Sequence, residues 1–508
     1  MIQFQAYDYF ADDSFQLSEY SLEGSESTGW KVYRNGQLYL ELGAGYRLLR
    51  TELCGICSTD LDRRFLPFPL PQILGHEVLA KDPNTNKKYV LEINDTPTTR
   101  SGIPDKYSRF GIPTHSPDRM VLGIDRLPGG FGPYLLAPIG TLIEVESLTD
   151  KEAVLMEPFA ASYHGVEVAI DIERKPLKRI AVLGPRRLGS LVIAALHLIR
   201  KQRNLNFRIA GIVKNRELTE HLFAMGADEV YSFPDLGKTE SDKSMLGEFS
   251  SAKAPEISEK ITWGELSEFA EIVFDTTGAS SGLENCIQLS SSQIHRKTTN
   301  GKESLGIQNL TELVVDEFSI AKLSPDFQKK SWGVNQSSNQ WLFLPKQVKL
   351  TEPSKNWIQS ARENGLRVYE GSVPEAKDFL DSNEFTGPVR GFDFSIVDQI
   401  SLLDQIIRPD QKDHPSLLRP RGIIFVTDLA PSDFGHPFLQ WISKDRVLSS
   451  SRCGDFQKTM AALKSSPGFL KSISERLISA EFKMKDLPQA YLEARKPEQI
   501  KVIVRSEI

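Results

Sequence analysis

The sequence of 508 residues contains only four cysteines, Cys54, Cys57, Cys286 and Cys453. That is too few for a disulfide framework and fits a reducing compartment. No apolar run reaches the roughly 20 residues of a membrane-spanning helix. The stretch near Leu188–Ile199 is interrupted and too short. Basic residues are not in excess: 61 Lys and Arg stand against 67 Asp and Glu, a net charge of -6. That balance leaves no electrostatic footprint for nucleic acid. The opening M-I-Q-F-Q-A-Y-D-Y-F-A-D-D has neither the basic segment nor the apolar core of a signal peptide. The expectation is a cytoplasmic protein with no membrane or nucleic-acid partner. With 40% hydrophobic and 25% charged residues it reads as soluble and globular. Its length calls for two or more domains.

What is present centres on Leu53–Leu79, which holds a thiol at Cys57, an imidazole at His76 and a carboxylate at Glu77. Thiol and imidazole suit a divalent zinc ion, and a catalytic zinc needs three protein ligands plus one open position. Gly55 and Gly75 allow sharp turns or close backbone approach beside them. A buried free cysteine and a satisfied core histidine are the plainer alternative. The third ligand candidate is Glu157, in L-M-E-P-F-A. It reads equally as a helix-start carboxylate favoured by the macrodipole, with Pro158 in the first turn. His164, about two helical turns later, either faces the same cleft or packs within its helix.

A second constellation begins at Lys178–Leu183, an apolar strand followed by G-P-R-R-L-G and the helix S-L-V-I-A-A-L-H-L-I-R. Strand, glycine turn and helix are the context of a dinucleotide fingerprint. Gly184 and Gly189 hold the outer positions, Arg186 replaces the middle glycine, and Arg187 and Leu188 complete the turn. The two arginines either pair with phosphate or crowd the site. The next strand ends in Lys214-Asn215-Arg216. Basic residues there favour NADP over NAD, or else are solvated charges at the start of the next helix.

The motifs C-G-I-C-S-T-D and G-H-E, in this order and separation, resemble the zinc-binding signature of the medium-chain dehydrogenase/reductase superfamily, of the alcohol, sorbitol and threonine dehydrogenase kind. The resemblance implies Cys57 and His76 as zinc ligands, Glu77 behind the metal and Glu157 as a direct or water-bridged ligand. It implies Thr59 touching the substrate oxygen, with Asp62 where many members carry a proton-relaying histidine. Asp62 or His164 then continues the relay. Thr276, Thr277 and Gly278, after the strand E-I-V-F-D, are implied on the nicotinamide side. In many relatives the lobe at 81–120 carries four cysteines around a structural zinc. Here it has none and Ser116 stands at one such place, so one catalytic zinc and no structural zinc is expected. His115 is assigned to a loop surface. The segment with Gly129 and Gly130 resembles a family strand returning to the active site, although an ordinary hairpin turn explains the glycines as well.

The expected fold is α/β. A chaperonin-10-like β-rich catalytic domain covers 1–165, with strands at Phe15–Tyr20, Trp30–Arg34 and Gly45–Arg50. A doubly wound Rossmann-type cofactor domain covers 166–465, and 466–508 returns to the catalytic domain. Zinc and nicotinamide are expected in the cleft between them. Residues 234–262 are polar and read as surface loops. The chain exceeds plain family members by well over a hundred residues. The segment G-F-D-F-S-I-V-D at 391–398 echoes A-E-I-V-F-D at 270–275. The simplest account is an insertion or partial internal repeat over 325–440 that adds strand–helix units; chance likeness of two buried strands is the other. Trp332, Trp341 and Trp357 suggest that this segment packs against something, another subunit included. The implied activity is zinc-assisted hydride transfer between an alcohol or polyol, or its carbonyl, and NAD(P), in a homodimer or homotetramer. The rivals are a zinc-binding member with weak or lost activity that serves binding or assembly, and a zinc-independent reductase on the same architecture.

Overall fold

The computed structural model describes residues 1–507 apart from 215, 234–249, 254–256, 261–262, 299–301, 324–338 and 410–414. The chain divides into two compact units, Met1–Ala161 with Cys453–Ile508, and Ser162–Arg452. No helix among the described residues is long and apolar enough to cross a membrane.

The first unit is built mainly of strands. An antiparallel meander of Ile2–Tyr9, Phe15–Ser25, Gly29–Arg34 and Gln37–Leu42 opens it. In its second strand Ser18, Tyr20 and Leu22 are buried while Glu19 is exposed, the period-2 pattern of a half-buried strand. A larger sheet is organised on β1 (Tyr46–Gly55) and β2 (Glu77–Lys81), which pair antiparallel. The C-terminal strand Lys501–Arg505 pairs with β1 on its other side, with Val504 opposite Cys54. Leu49, Cys54, Ile56, Val78, Phe131, Leu135, Tyr491 and Val504 share one buried core. Residues 81–120 are less loop-like than expected. They include the short helices Pro97–Ser101 and Lys106–Arg109. His115 lies half-buried in a 3-10 turn and Ser116 is buried, so neither belongs to an open loop surface.

Among its described residues the second unit carries one sheet of thirteen strands. Its strands in chain order are β3 (Arg179–Leu183), β4 (Arg208–Val213), β5 (Glu229–Ser232), β6 (Ala270–Asp275), β7 (Ser290–Arg296), β8 (Ser319–Lys322), β9 (Trp341–Pro345), β10 (Arg367–Gly371), β11 (Phe392–Val397), β12 (Leu418–Val426) and β13 (Val447–Ser450). Two further strands, Ser250–Lys253 and Ile257–Lys260, form an antiparallel pair beyond β5. They correct the reading of 234–262 as loops throughout; the remainder of that stretch lies outside the described residues. From that pair the order runs β5-β4-β3-β6-β7-β13-β8-β12-β11-β9-β10. Strands β3, β6, β11 and β12 are buried almost throughout, as parallel strands covered on both faces must be.

The segment from Trp341 to Val426 forms the strands β9 to β12 with helices between them. Two of its tryptophans pack within this unit. Trp341 packs on Phe379 at 5.1 Å between ring centroids and Trp357 on Phe425 at 5.6 Å, both within this unit. Trp332 lies outside the described residues.

Candidate metal centre and dinucleotide turn

The metal-ligand candidates are positioned by the end of β1 and the start of β2. Cys57 caps a one-turn helix, α1 (Ser58–Leu61), in extended conformation. Its backbone N–H donates to Asp60 Oδ2 at 2.8 Å, which fixes the turn and places the thiol. His76 and Glu77 follow Gly75, whose φ of +96° favours glycine. A Cβ there would lie 2.6 Å from Cys54 Sγ and 2.8 Å from Phe131. Gly129 and Gly130 serve the same segment. The Gly129 N–H donates to the Ile73 carbonyl and the Gly130 N–H to the Gly75 carbonyl, both at 2.8 Å. A Cβ on Gly129 would meet the Gly75 carbonyl oxygen at 2.3 Å. The double glycine is thus a close backbone approach that holds the His76 segment, and the hairpin-turn explanation falls.

The ligand atoms of Cys57, His76 and Glu77 all lie within 4.8 Å of one another. His76 and Glu77 are buried; Cys57 is partly exposed. Asp60, absent from the sequence-based site, stands beside His76: its Oδ1 is 3.3 Å from Nδ1. Neither of these two atoms has a hydrogen bond of good geometry. Burial opposes a charge on His76, but Asp60 and the Cys57 thiol outweigh it and hold the imidazole pKa well above the usual histidine range. Burial pushes the neighbouring Cys54 thiol up, keeping it protonated. Glu77 meets Lys501, also missed from sequence, whose Nζ donates to Oε1 at 2.6 Å; both side chains are almost fully buried. A Cβ on Gly55 would fall 2.1 Å from Glu77 Oε2, so the glycine makes room for this pair.

Thr59 lies beside the thiol, with Oγ1 3.8 Å from Cys57 Sγ. Asp62 caps the C-terminus of α1, its N–H donating to the Ser58 carbonyl at 3.0 Å. Glu157 is half-buried in the first turn of α2 (Met156–Ile172), outside the three-residue ligand group. His164, further along α2, has Nε2 3.7 Å from Glu317 Oε1. The donor set of thiol, imidazole and carboxylate fits zinc, and Asp60 at the second ring nitrogen fits the partner a metal-bound histidine uses.

In the second unit, β3 runs into Gly184 (φ +71°), and α3 (Arg187–Gln202) starts three residues later. Thr276 Oγ1 donates to the Leu183 carbonyl at 2.9 Å, and the Gly184 carbonyl lies at 3.2 Å. A Cβ on Gly184 would meet Thr277 Cγ2 at 2.6 Å, and one on Gly189 would meet Thr276 Oγ1 at 2.6 Å. Gly184, Gly189, Thr276 and Thr277 are therefore brought together. Arg186 is the residue before α3; Arg186, Arg187 and Leu188 are half-buried, while Gly278 is exposed. Lys214 and Arg216 are exposed after β4. Asp275 underpins the turn: its Oδ1 accepts from the Thr277 N–H at 3.0 Å, and its other oxygen pairs with the buried Arg296.

No family model matches the chain. Over 172 residues it is 26% identical to an L-galactonate-5-dehydrogenase of Escherichia coli K12, covering 30% of this chain and 46% of that protein. Over 169 residues it is 26% identical to D-arabinitol dehydrogenase 1 of Uromyces fabae, covering 31% and 45%. The matches thus span about half the length of these curated relatives. Among solved structures, an alcohol dehydrogenase from Escherichia coli CFT073, complexed with NADH, aligns over 99% of each chain. Its TM-score is 0.51 at 12% identity, a likeness of fold. The fold is that of a two-domain dehydrogenase, a GroES-like unit with a Rossmann-type sheet. Together with the two sequence matches it supports the resemblance to the zinc-dependent medium-chain dehydrogenase/reductase superfamily.

Proposed function

We propose that the protein is a zinc-dependent oxidoreductase that transfers hydride between an alcohol or polyol, or the matching carbonyl, and NADP in preference to NAD. The observation that carries this reading is the gathering of the Cys57 thiol, the His76 imidazole and the Glu77 carboxylate within 4.8 Å. Cys57 and His76 hold the metal. Glu77, neutralised by Lys501, lies behind it, and Glu157 supplies a further oxygen directly or through water. When bound, zinc supplies Lewis acidity to the substrate oxygen and the nicotinamide supplies the hydride acceptor. Thr59 holds the substrate hydroxyl and takes its proton at Oγ1. Asp62 or His164 is the carrier beyond it. Gly184 and Gly189 admit the pyrophosphate, Arg186 and Arg187 pair with its oxygens, and Leu188 lies in the first turn of α3 beside them. Thr276, Thr277 and Gly278 flank the nicotinamide side, and Lys214 and Arg216 meet the extra phosphate of NADP.

Metal analysis, combined with a panel of alcohols and polyols assayed with NAD and NADP, tests the proposal. About one zinc per chain is expected, as for a single catalytic site, together with turnover of at least one polyol. Cys57→Ala should abolish zinc and turnover together; a variant keeping both removes the assignment. Zinc without dinucleotide binding would instead favour a binding or assembly role, to which Arg186 in place of the middle glycine lends support.

A further inference from the structure

The thirteen-stranded sheet contains two arrays of the same design. In the first, β3 is followed by α3 and the outward neighbour β4; the chain then crosses to β6 and β7 on the other side. In the second, β9 is followed by α4 (Glu352–Glu363) and the outward neighbour β10; the chain then crosses to β11 and β12. Neighbouring strands along each of these runs are parallel. The echo between 270–275 and 391–398 falls on β6 and β11, which hold the same place in the two arrays.

The last strand of each array is in the other one. After β7 the chain passes through the helix Leu310–Val315 to β8, which pairs parallel with β12. After β12 it passes through the helix Pro437–Ser443 to β13, which pairs parallel with β7. The exchanged strands meet antiparallel at the middle of the sheet, Ile320 opposite Leu448 and Ala321 opposite Val447. Order and direction thus repeat outward from this junction as they would across a two-fold axis. Reciprocal exchange of an equivalent element is how swapped dimers are built; here both halves lie on one chain.

The second array does not keep a phosphate-binding turn. No glycine occurs between β9 and Ser354. The start of α4 holds a carboxylate of its own: Asp428, just beyond β12, accepts from the Thr351 and Ser354 hydroxyls. An anion already sits where helix N–H groups and the dipole would receive a phosphate. In the first array the matching place has Gly184 with positive φ and no acidic residue in the turn.

We infer that the second array is a built-in partner: by strand exchange it closes the β13 edge of the cofactor array and takes the place a second copy of this chain would fill. An uncovered edge strand is a template for pairing with another molecule, and β8 removes that template from within. The assignment of a cofactor to the first array rests on the proposed function; the exchange does not.

The test is disulfide trapping in the full chain. Ala321→Cys with Val447→Cys places two thiols on the antiparallel partner positions, and each single substitution serves as control. Mild oxidation should give a cross-link within one chain, seen as a mobility shift without the doubled mass of a linked dimer. Disulfide-linked dimers specific to the double variant, or no cross-link of either kind in a folded double variant, would overturn the inference. Hydrogen exchange on the unaltered chain decides if the variant does not fold. Protection of the 447–450 amides should be independent of dilution, and protection lost on dilution overturns the inference. Titration with NADP adds an independent arm. Two equivalents per chain would overturn the second array as a partner only. One supports it. None leaves the second array empty and counts against the proposed function alone.

Discussion

Removing Lys501 isolates the energetics of the metal centre's support. Lys501 and Glu77 are 2% and 1% exposed, and Nζ contacts both carboxylate oxygens. Lys501→Met retains most of the side-chain volume but leaves Glu77 as a buried charge without its partner. Breaking a buried pair in this way costs about 3–5 kcal/mol, several times an exposed pair. Against a typical total stability of about 5–15 kcal/mol that is a large fraction. For a unit of this size it corresponds to a fall in Tm on the order of 10 °C. Glu77→Gln in the Lys501→Met background removes the stranded charge while keeping the shape that Gly55 accommodates. The double variant should recover at least about 2 kcal/mol, a coupling within the range of residues in direct contact. Urea and thermal unfolding should be followed with chelator present, so that metal binding does not mask the effect. Strict additivity of the two single losses, or a cost below about 1 kcal/mol for Lys501→Met, would refute the claim that this pair underlies the site.

Asp60→Asn should lower zinc affinity by about 10–100-fold while the fold persists, read by competition with a chromogenic chelator, because Asp60 orients the His76 ring. Gly129→Ala should cost about 3 kcal/mol and weaken zinc binding with it, since the added carbon meets unyielding backbone. Gly43→Ala, where a Cβ meets nothing within 4 Å, is the matched control and should change neither measurement. Burial, with Asp455 nearby, raises Glu92 to about 7, while Asn94 works the other way. Its folded pKa therefore exceeds its unfolded value, and the unfolded state loses its proton first as pH rises. Stability should fall by up to about 3 kcal/mol as pH passes from the ordinary carboxylate range to neutrality, and Glu92→Gln should flatten that slope in unfolding curves at several pH values.

What could be read from the sequence was decided by how local each signal was. Cys57, His76 and Glu77 fall within one short stretch flanked by glycines, so ligand chemistry and turn chemistry coincide in the numbering. The strand–glycine–helix turn at Gly184 is equally local. Asp60 lies three residues from Cys57, yet nothing in its neighbours marks it as the partner of His76; that contact exists only once β1 and β2 pair. Lys501 lies 424 positions from Glu77 and reaches it through the pairing of the C-terminal strand with β1. Gly129 and Gly130 were visible as glycines, but their reason is the backbone of Gly75, brought near by tertiary folding. The second array was the least legible for a related reason. Its parallel strands are buried on both faces, so β6 and β11 share an apolar pattern that any covered strand shows. Their equivalence lies in neighbour order and direction, which periodicity does not encode. The exchange of β8 and β13 is more remote still: each strand follows its own array in sequence and pairs with the other in space, so a reading that assumes neighbours in sequence pair in space assigns both to the wrong half.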